Sequence, residues 1–94
     1  MADLKFDWDN AKNAANIAKH SIDFADTRDV FMDLHAIDSI DDREDYGEDR
    51  FVTIGMAQGR LLTVVYSMRS EVTRIISARG ATPYEQRKYR EEER

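Results

Sequence analysis

The sequence predicts an α+β domain: a short N-terminal strand and two helices, a four-stranded antiparallel meander, and a C-terminal helix. Three observations predict it. β-branched residues crowd three runs between residues 50 and 78, separated by short polar turns. Alanines at 11, 14, 15 and 18 have helical spacing. Thr82-Pro83-Tyr84-Glu85 reads as a helix start, with Thr as N-cap, Pro at the first position and Glu at the third. At 94 residues the chain has room for one domain, residues 1–94.

In chain order, residues 4–8 alternate apolar and charged side chains, as a short strand does. Asp9 or Asn10 then caps a helix running to His20, whose alanine face is expected to pack against its neighbour. Asp23 caps a second helix of roughly two turns carrying Phe24, Ala25, Val30 and Phe31. Residues 34–40 read as an outer strand, and residues 41–49 as an acidic loop. The three clear strands are 50–56, 60–68 and 72–78, and the last helix runs from 83 to about 92.

Loop lengths decide which side chains share a face. Three-residue loops at 57–59 and 69–71 place Val52, Ile54 and Met56 with Leu62, Val64 and Tyr66, and Arg74, Ile76 and Ala78 beside them. That face is expected to be the core. Arg50, Tyr66 and Arg74 then form one row near the end opposite Gly59, and Arg79 falls on the other face. A two-residue loop at Gln58-Gly59 exchanges the faces.

The absence of cysteine excludes disulfides, thiolate metal sites and cysteine nucleophiles. No apolar run is long enough to span a bilayer, and the N-terminus lacks a signal-peptide pattern, so a cytoplasmic protein without membrane contact is expected. His20 and His35 lie in different elements. Residues 38–49 do not follow calcium-loop order, because Arg43 and Tyr46 interrupt it. No metal or cofactor is expected.

The net charge is −5, unevenly spread. Residues 1–49 hold fourteen acids and five cations, whereas residues 50–79 hold five arginines and one acid, Glu71. Such a cluster suits a polyanion or forms an ordinary two-signed surface. Arginine grips phosphate oxygens in two places and stays charged, which fits phosphodiester cleavage without a metal. Arg50, Arg74 and Arg79, with Arg69 at the adjoining turn, supply the charge; His20, Tyr66, Tyr84 and Glu48 are candidates for proton transfer. His20 equally suits capping a helix end, and Trp8 equally suits anchoring the core. Tyr84 and Tyr89 are expected to pack the last helix onto the sheet. No recognition-helix pattern supports direct DNA binding.

Phe6-Asp7-Trp8-Asp9, Lys12-Asn13-Ala14-Ala15-Asn16 and Lys19-His20-Ser21-Ile22-Asp23-Phe24 resemble the opening of BrnT-type toxins. The second half is similar too, in Gly47-Glu48-Asp49-Arg50-Phe51, Val64-Val65-Tyr66 and above all Arg74-Ile75-Ile76-Ser77-Ala78-Arg79. Ser21 departs from the glycine common after the histidine, which suggests a slightly different turn. The resemblance implies a RelE-like fold and a metal-independent ribonuclease that inhibits translation. It implies a BrnA-like ribbon-helix-helix antitoxin as partner in a heterotetramer that represses its own operon, so that operator DNA is met only through the antitoxin. Carried onto this chain, the catalytic positions are His20, Arg50, Arg74 and Arg79, with Arg69 on RNA and Trp8 and Tyr66 in support. The alternative is a non-catalytic module that holds a DNA-binding partner and co-regulates its operon.

Overall fold

In a computed structural model, which describes residues 4–42 and 47–92, the strand Lys5–Asp7 (β1) is followed closely by Asp9. The Asp9 carboxylate accepts from the Lys12 backbone N–H at 3.0 Å and caps helix α1, Asn10–His20. This bond holds the Asp9 carboxyl below its ordinary pKa. Ser21 closes the helix in the left-handed region, φ 59°, its N–H bonded to the Ile17 carbonyl. The serine therefore makes the left-handed turn that glycine favours, rather than a different one.

The alanine face does not pack. Ala11, Ala14, Ala15 and Ala18 are exposed, and Asn16 is the buried residue of α1. Its amide donates to the Ile22 and Ala78 carbonyls and accepts from the Ala78 N–H, tying α1 to the sheet. Asn13 does the same locally, donating to Asp23 and accepting from the Phe24 N–H. Asn13, Asn16 and His20 form the inward edge at helical spacing, so backbone recognition by asparagine, not small-residue contact, seats this helix.

Residues Phe24–Met32 form a 3-10 helix rather than the expected α-helix. Phe24, Thr27 and Val30, three apart, are all fully buried, which is the period of a three-residue turn. Strands Ile37–Asp41 (β2), Arg50–Ala57 (β3), Arg60–Arg69 (β4) and Val72–Gly80 (β5) make the antiparallel meander. β2 begins at Ile37, three residues later than expected. β1 adds a fifth strand parallel to β5, so the sheet is mixed, in the order β1-β5-β4-β3-β2. The centre of the acidic loop, residues 43–46, lies outside the described residues.

Both hairpin turns hold two residues, not three: Ala57 pairs with Arg60, and Arg69 with Val72. Gln58 and Gly59 both have positive φ, 54° and 76°, the backbone that suits the right-handed twist of a tight hairpin. The face assignment of β3 is consequently exchanged. Thr53, Gly55 and Ala57 face α1 and the 3-10 helix beside Leu62, Val64, Ile75 and Ala78, where Ile22, Phe24 and Val30 complete the core. A Cβ on Gly55 would stand 2.9 Å from a Val30 methyl, so glycine permits this approach. Val52 and Ile54 lie on the opposite face. There helix α2, Pro83–Glu92, buries Tyr89, whose hydroxyl donates to Asp33 at 2.7 Å, while Tyr84 stays 59 % exposed.

Candidate functional site

The α2-side face gathers the arginines. Side chains alternate along a strand, so Arg50 follows Val52 and Ile54 onto this face, and Arg69 follows Val65 and Ser67. Arg74 and Arg79 are five residues apart, and a regular strand would send them to opposite faces. Between the pairs Val65–Ser77 and Tyr66–Ile75, however, β5 holds an extra residue, Ile76. This bulge restores the phase, placing Arg74 opposite Ser67 and Arg79 opposite Thr63 on one surface. Four arginines expected on two faces and in a turn thus come to a single face.

One cross-strand row runs through them. Asp41 is opposite Arg50, Ser67 opposite Arg74, and Arg74 opposite Asp7 of β1. Arg50 lies one step beyond the pair Phe51–Tyr66 and so meets Ser67. Two guanidinium-bearing residues therefore flank a serine, with an aspartate at either end. Glu48 reaches both Arg50 (3.8 Å) and Arg69 (3.5 Å), and Asp7 lies 3.3 Å from Arg74. These separations exceed charge-assisted hydrogen-bond length, and Asp7 is 51 % exposed, so the Arg74–Asp7 pair contributes at most about 1 kcal/mol.

The other end of the face is built differently. Arg79 grips Glu85 with two bonds, 2.7 and 3.0 Å. Glu85 also accepts from the Thr82 N–H and the Thr63 hydroxyl, and the Glu85 N–H donates to the Thr82 hydroxyl oxygen, completing the expected capping box. Burial opposes the charge, yet the Arg79, Thr82 and Thr63 bonds outweigh it and hold the Glu85 carboxyl down at about 2. Between these ends lies a cleft of about 430 Å³. Val52, Ile54 and Val65 line it, with Tyr84, Lys88 and Arg79 on the α2 side.

The remaining expected site residues lie elsewhere. His20 ends α1 across the sheet, beyond which Ser21 and Ile22 adjoin the Gln58–Arg60 turn, far from the Arg50–Arg74 row. Trp8 packs edge-on against Phe24, at 6.2 Å, and joins the core. Tyr66 leaves the arginine row because of the two-residue turn. Its ring lies between Phe31 and Phe51, and its hydroxyl donates to Asp38. Burial, then the Asp38 charge, push its pKa up to about 12, far from a neutral-pH proton donor. Of the four proton-transfer candidates, Glu48 and Tyr84 stand on the arginine side. Sequence reasoning missed Ser67 and Asp7, whose place in the row depends on register, and read Glu85 only as a cap. Among the described residues no three His, Cys, Asp or Glu side chains converge as a metal site, and no helix is long and apolar enough to cross a membrane.

A search of curated proteins gave no match. A family model described as the ribonuclease toxin BrnT of type II toxin–antitoxin systems matches residues 8–85, a span that holds all four arginines of the face and ends on the glutamate that clamps one of them. With the match covering most of the chain, this protein belongs to the BrnT family of type II toxin–antitoxin ribonuclease toxins.

Proposed function

We propose that residues 1–94 form one toxin domain, a metal-independent endoribonuclease of the cytoplasm that inhibits translation by cutting RNA on the arginine face. The observation that carries this is the row Arg50–Ser67–Arg74, where the register sets two arginines on either side of one strand position, on the face that also carries Arg69 and Arg79. Attack of a ribose 2′-oxygen on the adjacent phosphorus forms a 2′,3′-cyclic phosphate and breaks the bond to the 5′-oxygen, which leaves with a proton from water; on the way, extra negative charge gathers on the non-bridging oxygens. Two fixed guanidiniums neutralise that charge, the task a metal performs elsewhere. Glu48, beside Arg50 and Arg69, is the carboxylate placed to accept the 2′-hydroxyl proton. The neighbouring cleft, with its apolar floor and the exposed ring of Tyr84, suits a nucleobase of the bound strand.

The acidic remainder of the chain supports a basic partner. We assign that role to a BrnA-like ribbon-helix-helix antitoxin, assembled with the toxin as a heterotetramer through which operator DNA is contacted. Induction of the chain without its neighbouring gene should arrest growth and fragment RNA, and Arg74→Ala should relieve both. Purified protein should cut RNA equally well with and without EDTA. A tight complex with the partner, together with intact RNA in the presence of pure toxin, would replace this reading with that of a non-catalytic regulatory module.

A further inference from the structure

Five arginines stand between residues 50 and 79, and four of them meet a carboxylate. Arg50 and Arg69 meet Glu48, Arg74 meets Asp7, and Arg79 meets Glu85. Arg60, at the start of β4, has no ion pair among the described residues, and neither has Arg90 on α2. Acids outnumber Lys and Arg by 19 to 14, so carboxylates were available to both. Asp26 lines a small pocket on the other side of Arg60 without pairing with it. Both arginines instead line one groove of about 340 Å³, beside Met56, Leu61 and Gly80. A Cβ on Gly80 would stand 3.3 Å from an Arg60 guanidinium nitrogen, so this arginine lies across a position without a side chain.

The groove continues the arginine face on the far flank of α2. Met56 alternates with Val52 and Ile54, and Leu61 with Thr63 and Val65, so both grooves share one sheet surface as their floor. Tyr84, Glu85 and Lys88 border the larger cleft, whereas Gln86 and Arg90 border this one. The Ala81 N–H donates to the Leu61 carbonyl at 3.0 Å, and the Ala81 carbonyl accepts from the Gln86 amide at 3.0 Å. Those bonds tie β4 to α2 and fix the groove before anything enters it. The exposed Arg87 falls between the two flanks on the outer surface of α2, by helical period. We propose that Arg60 and Arg90 hold a second phosphodiester of the same RNA, a few nucleotides from the cut, on a strand that crosses α2 past Lys88 and Arg87. This rests on the ribonuclease reading and extends its substrate from one linkage to a length of single strand. A helix is about 10 Å across, which a few nucleotides span. Two guanidiniums grip phosphate oxygens, and Met56 and Leu61 offer apolar surface to the attached nucleoside.

The test compares Arg60→Gln and Arg90→Gln with Arg28→Gln, an exposed arginine on the 3-10 helix across the sheet that removes the same charge. The probes are a dinucleotide, a single-stranded RNA of about 12 nucleotides and its uncleavable 2′-O-methyl counterpart. Arg60→Gln and Arg90→Gln should melt within about 2 °C of wild type, since neither breaks an ion pair. Each should bind the 2′-O-methyl strand about 5- to 10-fold more weakly and lower the salt slope of binding by about 0.7. KM for the long RNA should rise by the same factor with kcat within about twofold, and the loss should be much smaller on the dinucleotide. Arg60→Lys and Arg90→Lys should recover part of the binding, and Arg28→Gln should bind as wild type. Equal binding by wild type and all three Gln variants would overturn the groove, and an inactive Arg74→Ala beside it would leave the ribonuclease reading standing. Equal losses on the dinucleotide and the long strand, or an equal loss in Arg28→Gln, would overturn it too. So would unchanged RNA binding with a weakened hold on the antitoxin, which would assign the two arginines to a protein interface. If pure wild type cuts no RNA, the ribonuclease reading falls, and binding of the 2′-O-methyl strand alone decides the groove.

Discussion

Arg74 and Arg79 stand on the same strand and the same face, yet they are held in opposite ways. Arg79 meets a carboxylate fixed by a helix cap and a threonine, so its guanidinium is committed to a preformed network. Arg74 meets one exposed aspartate at 3.3 Å on a short edge strand. The difference teaches where a charged side chain is structural and where it is poised. A guanidinium whose partner is itself locked stabilises the fold, whereas one with a loose, solvated partner can exchange that partner for a ligand.

The sharpest way to break this comparison is to remove each arginine in turn. Arg74→Ala should lower RNA cleavage by about 100-fold or more while changing unfolding free energy by about 0.5 kcal/mol or less. Arg79→Ala should do the reverse, costing about 2 kcal/mol in urea unfolding because Glu85 loses both charged bonds, with cleavage within about 10-fold of wild type. Should the stable variant prove active and the unstable one dead, the two ends have been assigned backwards.

Acid sharpens the same contrast. The Glu85 carboxyl sits at about 2 instead of its ordinary 4.5, so its stabilisation is complete above about pH 4.5 and disappears as pH falls towards 2. The stability gap between wild type and Glu85→Gln, measured by urea midpoints, should therefore close over that window. A gap independent of pH would mean that the charge on Glu85 contributes nothing. The smallest effect belongs to Asp7→Asn. It should leave stability within about 0.5 kcal/mol and tighten binding of the 2′-O-methyl strand about two- to threefold, with a stronger dependence on salt than the parent.

Much of the local structure was legible. Asp9, Asp23 and Thr82 cap their segments as their positions require, because a short polar side chain reaches the free N–H groups within three residues. The strand runs between 50 and 78 are equally plain. The alanine face of α1 misled, since its packing depends on what Asn13 and Asn16 can bond across the chain. The row misled for a related reason. Moving one turn from three residues to two exchanges every side chain of β3, and the Ile76 bulge changes the phase of β5 halfway along. His20 and Arg74 look equally chemical in a sequence, yet the sheet separates them by its full thickness.

Composition, caps and β-branched runs by themselves determined the class of fold, the order of its elements and the arginine-rich second half. These are local preferences, settled by neighbours within a turn or two. Which arginines meet, which serine lies between them, and which glutamate ties one of them down were decided only when the strands paired. Register is a cooperative property of the whole sheet. It is set by the burial of Phe24, Val30, Val64 and Ile75 together, and no short stretch of chain carries that energy alone.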